Sequence, residues 1–130
     1  MENELNILTK KVRKFSEERD WTKFQNPKDL AIALILEASE VLEPFRFKSE
    51  FNKDELAKEL ADVLNILLRL ADIVGIDLVY WFDKKLEENA AKYPIKTFYG
   101  VNMKYSEVSK RGFGTILVKN SEVNKNVALH

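Results

Sequence analysis

The sequence predicts an all-α, four-helix bundle-like fold, and three observations carry that prediction. Apolar residues recur at three- and four-residue spacing through most of the chain before Gly100. Residues that start and stop helices punctuate those runs. No segment in that span shows the apolar/polar alternation of a half-buried strand. A length of 130 residues with 45% apolar and 32% charged content fits one globular domain with a real core. Helices are expected over about 2–20, 27–43, 53–74 and 77–93, in a domain of residues 1–100, with residues 101–130 as a C-terminal extension.

The first helix rests on Leu5, Leu8, Val12 and Phe15, spaced as a buried stripe opposite a Lys/Arg/Glu-rich face. Trp21 and Phe24 follow in a stretch without a clear period. They read either as hydrophobic lids over the helix ends or, for Trp21, as a wall for a planar ligand. Asn26-Pro27-Lys28-Asp29 is a helix start, with Asn as the cap, Pro in the first turn and an acid near the dipole's positive end. Ala31, Leu34, Ala38, Val41 and Leu42 supply the apolar surface of the second helix, and Pro44 disfavours its continuation. Phe45, Phe47 and Phe51 stud the connection that follows.

The third helix begins near Asn52–Asp54 and stops at Gly75, a residue suited to the left-handed turn that ends helices. Its apolar band (Leu56, Leu60, Val63, Leu64, Leu67, Leu70, Ala71, Val74) is wide enough to need cover on more than one side, within a subunit or between two. At about 20 residues it spans roughly 30 Å. The fourth helix opens at Asp77 and ends at Pro94, with Leu78, Tyr80, Trp81, Phe82 and Leu86 as its apolar surface. Lys85, Asn89 and Lys92 share one of its faces, which reads either as solvated or as a donor stripe for phosphate oxygens. Gly112-Phe-Gly-Thr-Ile-Leu-Val reads as a turn and a short β-prone run, and the segment from Ser121 to His130 as weakly structured.

Charge and composition narrow the function. Net charge is zero, but residues 1–100 carry −3 and residues 101–130 carry +3. An acidic body offers no electrostatic footprint for nucleic acid, so none is expected as a partner. No apolar run reaches membrane-spanning length, and no membrane partner is expected. Met-Glu-Asn-Glu at the start lacks the features of a secretory signal, which makes cytoplasm the default location. There is no cysteine, which removes disulfides and thiolate zinc sites.

Within this frame the second and third helices stand out. Glu37-x-x-Glu40 and Glu59-x-x-Asp62 place two acids on one face of each helix, amid Leu, Ile, Ala and Val. Were the helices to pack antiparallel, four carboxylates would converge and repel one another unless a cation neutralised them. Acids with no His or Cys nearby suit a hard divalent ion, Mg²⁺ foremost. Surface salt bridges are the competing reading. Glu43, Glu55 and Asp72 flank the acids at positions that read as more exposed. A di-iron carboxylate bundle would need Glu-x-x-His pairs, which this sequence lacks.

These residues resemble a known family. Arg19-Asp20-Trp21, Phe24, Pro27-x-x-Leu30, Glu37-x-x-Glu40, Glu59-Leu-x-Asp62-Val63 and Lys85-x-x-x-Asn89-x-x-Lys92-Tyr93-Pro94 are similar to motifs of the MazG-like all-α nucleoside triphosphate pyrophosphohydrolases. Within them the dCTP pyrophosphatase group is the nearest likeness, over roughly residues 4–100. The resemblance implies a dimeric or tetrameric helical assembly that binds Mg²⁺ and cleaves a nucleoside triphosphate to the monophosphate and pyrophosphate. On this chain Glu37, Glu40, Glu59 and Asp62 would be metal ligands. Lys85, Asn89, Lys92 and Tyr93 would hold phosphates and sugar, and Trp21 and the Phe45–Phe47 region would border the base. Glu40 is the expected acid to orient or deprotonate the attacking water. The chain departs from some members at Gln25 (His there), Phe47 (Trp) and Ile66 (Tyr). The rival readings are a non-enzymatic helical interaction module, or the same fold acting on dUTP, damaged nucleotides or phosphoribosyl-ATP.

Overall fold

A computed structural model describes residues 2–110, with side chains through residue 107. No strand occurs among the described residues, in keeping with the all-α expectation. The chain divides into two compact units at Val79–Tyr80. In the first, α1 (Glu4–Glu18), a 3₁₀ turn η1 (Thr22–Phe24), α2 (Pro27–Glu40), a second 3₁₀ turn η2 (Glu43–Phe45) and α3 (Lys53–Val74) follow one another. Next, α4 (Leu78–Lys92) starts at the boundary and runs into the second unit, which also holds α5 (Ile95–Phe98) and α6 (Tyr105–Lys110).

Asparagine starts three of these helices. The Asn3, Asn26 and Asn52 side chains accept backbone N–H groups of Asn6, Asp29 and Asp54/Glu55, satisfying donors that the first turn leaves without partners. Gly75, at φ 74°, terminates α3, and the next N–H, of Ile76, bonds Ala71 O at 2.8 Å. That left-handed cap is cheap only for glycine.

Several expected boundaries move. The first helix is shorter at both ends than 2–20 because Asn3 caps it and Asp20 turns through a left-handed φ of 53°. The second ends at Glu40 rather than near 43: Val41 and Leu42 donate to Ala38 and Ser39 three residues back, and Pro44 sits buried inside η2. Beyond Pro94 two short helices appear that the sequence reading did not anticipate, one of them, α6, inside the expected extension. The Gly112–Val118 run, the Ser121–His130 tail and His130 lie outside the described residues.

Within the first unit α3 is the spine, packed against both α1 and α2. Both neighbours run antiparallel to it. Gln25, just ahead of α2, bonds Arg69, whereas Glu37 and Glu40, further along the chain, meet Glu59; likewise Arg13 pairs with Asp72 while Ser16 joins the network of Arg69. Leu30, Leu68 and Ala71 form the buried apolar centre. Around them lie half-buried Leu5, Leu8 and Val12 of α1, Ala33 and Leu34 of α2, and Leu56, Val63 and Ile66 of α3. Phe15, expected in the α1 stripe, is largely exposed, and Ser16 is buried in its stead. Large apolar side chains remain uncovered: Ile32, Ile35 and Leu36 on α2, Leu60 on α3, and Tyr80, Trp81, Phe82 and Leu86 on α4.

Candidate functional site

The inward stripe of α2 runs Leu30, Leu34, Glu37, Val41, and that of α3 runs Leu56, Glu59, Val63, Ile66. Helical spacing thus sets one acid from each helix into the seam, where an apolar residue would otherwise sit. Glu37 and Glu59 are half-buried there, and Glu40, one turn on, is exposed at the rim. Carboxylate oxygens of Glu37, Glu40 and Glu59 come within 4.8 Å of one another. Asp62 is exposed and its carboxylate lies outside that group of three, although it still acts electrostatically on Glu59. Among the described residues no lysine or arginine pairs with any of these four acids.

Partial burial, followed by the negative charges of Glu40, Asp62, Glu37 and Glu43, raises the Glu59 pKa above its ordinary 4.5. The cluster therefore holds its charge against resistance, and an added cation would relieve it. The donor set is all oxygen, the chemistry of Mg²⁺ or a similar hard divalent ion. The flanking acids behave differently. Glu43 pairs with Arg46 and Glu55 with Lys48 on the surface. Asp72, read from sequence as more exposed, is half-buried, because Arg13 and Arg69 both reach it from within the unit.

The aromatic candidates are open to solvent. Trp21 is 46% exposed, with its ring edge-on to Phe15 at 5.8 Å. Phe47 is 94% exposed and sits at φ 56°, a left-handed conformation strained for so bulky a residue. Arg46 lies over its ring at 5.0 Å. In the second unit Lys85 pairs with Glu88 at 3.4 Å, Asn89 is half-buried and Lys92 exposed. Tyr93 packs edge-on against Phe98 at 4.9 Å and Tyr105 at 6.3 Å.

Sequence reasoning missed a polar network in the first unit that is built around Arg69, the one charged side chain buried among the described residues. It donates to Asp72, Gln25 and Thr22, and Arg13 donates to Asp72 at 2.9 and 2.5 Å. The one available signal was an arginine set within Leu67-Leu68-Arg69-Leu70-Ala71, where solvation is hard to arrange.

An acid-seamed helical unit of this kind defines a class, and the comparisons agree on it. Residues 32–108 match the MazG-like family, and the chain belongs to that family. Among individual proteins, it is 33% identical to dCTP pyrophosphatase 1 of Mus musculus over 112 residues, covering 78% of this chain. It is also 32% identical to dCTP pyrophosphatase 1 of Homo sapiens over 104 residues, covering 72% of this chain and 61% of that one. The match spans 64% of the length of the mouse relative. A crystal structure of a pyrophosphatase from Archaeoglobus fulgidus aligns with a TM-score of 0.66 at 32% identity, covering 72% of this chain and 95% of that one.

Proposed function

We propose that this chain hydrolyses a nucleoside triphosphate, with a dCTP-like substrate foremost, to the monophosphate and pyrophosphate in a Mg²⁺-dependent reaction. The observation that carries this reading is the convergence of Glu37, Glu40 and Glu59 with no lysine or arginine paired to them among the described residues. The activities named for the related proteins support the same direction. Glu37, Glu40 and Glu59 would hold the metal, with Asp62 the fourth ligand that the family resemblance implies. An ion held there would supply positive charge to the triphosphate oxygens.

The chain's residues supply the rest. Glu40, at the solvent rim, orients the attacking water and takes its proton. Oxygen from that water bonds to the α-phosphorus while the bond from that phosphorus to the α–β bridging oxygen breaks, so pyrophosphate departs. By the family resemblance, Lys85, Asn89 and Lys92 would be the N–H donors for phosphate oxygens and Tyr93 the hydroxyl donor for the sugar. Trp21 and Phe47 present rings on which a base can stack. The exposed apolar residues of α2, α3 and α4 favour burial against further copies of the chain, as a homodimer or homotetramer; light scattering at micromolar concentration checks this.

The deciding experiment incubates the protein with Mg²⁺ and a panel of deoxynucleoside triphosphates in ¹⁸O-water. Monophosphate and pyrophosphate, with label in the monophosphate, are expected, and chelation should stop the reaction. Release of orthophosphate, or label in the pyrophosphate, would refute the stated attack.

A further inference from the structure

Arg69 is 4% exposed, and its guanidinium is committed on three sides. Nη1 donates to Asp72 Oδ2 at 2.7 Å, Nε to Gln25 Oε1 at 2.6 Å and Nη2 to Thr22 Oγ1 at 3.2 Å. Gln25 passes the chain of bonds on, donating from Nε2 to Ser16 Oγ at 3.0 Å. Thr22 and Gln25 bracket η1, and Trp21 immediately precedes it. The Trp21 N–H itself donates to Ser16 O at 2.9 Å. The turn into this segment passes through Asp20 at φ 53°, a left-handed conformation that aspartate tolerates better than most residues. The whole segment from Ser16 to Gln25 is thereby fastened to one point on α3.

Stability alone does not call for an arginine there. A well-packed apolar side chain of similar volume serves a core at least as well as a buried charge. What a guanidinium adds is direction: a planar fork fixes the angle between the groups it joins, which a lysine cannot do. Despite this bracing, Trp21 is left 46% exposed. A braced segment that ends in an open indole is an arrangement for presenting that ring.

We propose that Arg69 is a positioning residue for ligand binding: it clips the Thr22–Gln25 turn to α3 and so fixes Trp21 to receive the planar group of the ligand. The planar-ligand part rests on the role given to Trp21 above; the clip itself does not. Arg69 lies ten residues from Glu59 on α3, about 15 Å along the helix, so the clip acts at the end of the ligand away from the carboxylates. Its loss weakens binding and leaves the chemical step alone.

The test uses Trp81→Phe protein, in which Trp21 is the single tryptophan. Acrylamide quenching of Trp21 is measured on the free protein, and KM and kcat are measured with Mg²⁺ and the nucleotide that the panel selects. Arg69→Met should make Trp21 more easily quenched and raise KM about tenfold, with kcat within about twofold. Arg69→Lys keeps the charge beside Asp72, so it should recover thermal stability but neither the quenching nor the KM. Should Arg69→Met fail to fold, Thr22→Val with Gln25→Leu cuts the clip while keeping the Arg69–Asp72 pair, and the same two changes are expected. Unchanged quenching, unchanged KM beside altered quenching, or full KM rescue by lysine would each overturn the proposal. A native chain that turns over no nucleotide would overturn the proposed function instead, and quenching alone would then decide the clip.

Discussion

Glu59 and Asp72 are both half-buried acids on α3, and their surroundings push them in opposite directions. At Asp72 the Arg13 hydrogen bond and the nearby charges of Arg13 and Arg69 hold the pKa below its ordinary 3.8. At Glu59 burial and four neighbouring carboxylates push it up. The same helix thus carries a region whose acid is balanced by neighbouring arginines and a region whose acids no described cation balances. Balanced polar groups fix a fold, whereas an unbalanced cluster of one sign costs the fold and is explained by what it binds.

The strongest way to break this contrast is at the balanced end. Asp72→Ala leaves Arg69 enclosed without its anion, which should cost about 3–5 kcal/mol in urea unfolding. A cost near zero would show that the pair is not structural. At the other end Glu40→Gln and Glu59→Gln should each cut hydrolysis about 100-fold or more with the helical circular dichroism intact. Glu59→Gln should also raise the melting temperature of the metal-free protein at neutral pH, because it removes a repelled charge. A lower melting temperature would show that Glu59 is structural.

Metal and pH sharpen the comparison further. Mg²⁺ should raise the melting temperature at pH 7 by several degrees, since it binds the native cluster and not the unfolded chain. The gain should shrink as pH falls toward 4.5, where protons compete for Glu59. Without metal, the raised Glu59 pKa means that the native state takes up a proton before the unfolded chain does, so this site stabilises the fold as pH drops through that window. Asp72 has the opposite sign. Its contribution is whole above 3.8 and is lost as pH falls through the lower folded value. Asp72→Asn should therefore flatten the acid limb of the stability curve, the smallest of these effects. An acid limb unchanged by that substitution would place the loss elsewhere.

What could be read from the sequence follows from how far apart the cooperating residues lie. Asn26-Pro27-Asp29 and Gly75 act within one turn, so the start of α2 and the end of α3 were legible. The acid cluster was legible in part: Glu37, Glu40 and Glu59 converge as the paired acids on antiparallel helices suggest, whereas Asp62, the expected fourth, lies outside the group. The Arg69 network was not legible. Its bonds to Gln25 and between Arg13 and Asp72 join positions 44 and 59 residues apart. An aspartate near a helix end otherwise reads as a solvated residue. Ser16 was missed for the same reason: its burial depends on Gln25 arriving from the next element.

Phe47 carries one further consequence. Its backbone angle suits glycine far better than any side chain with a Cβ, and among the described residues it is left 94% exposed, with Arg46 beside its ring. Replacing it therefore need not loosen the molecule. The tip of the α2–α3 connection becomes a place where an engineer can exchange one aromatic for another, or install a fluorescent amino acid, and read any altered nucleotide preference without first repairing the scaffold.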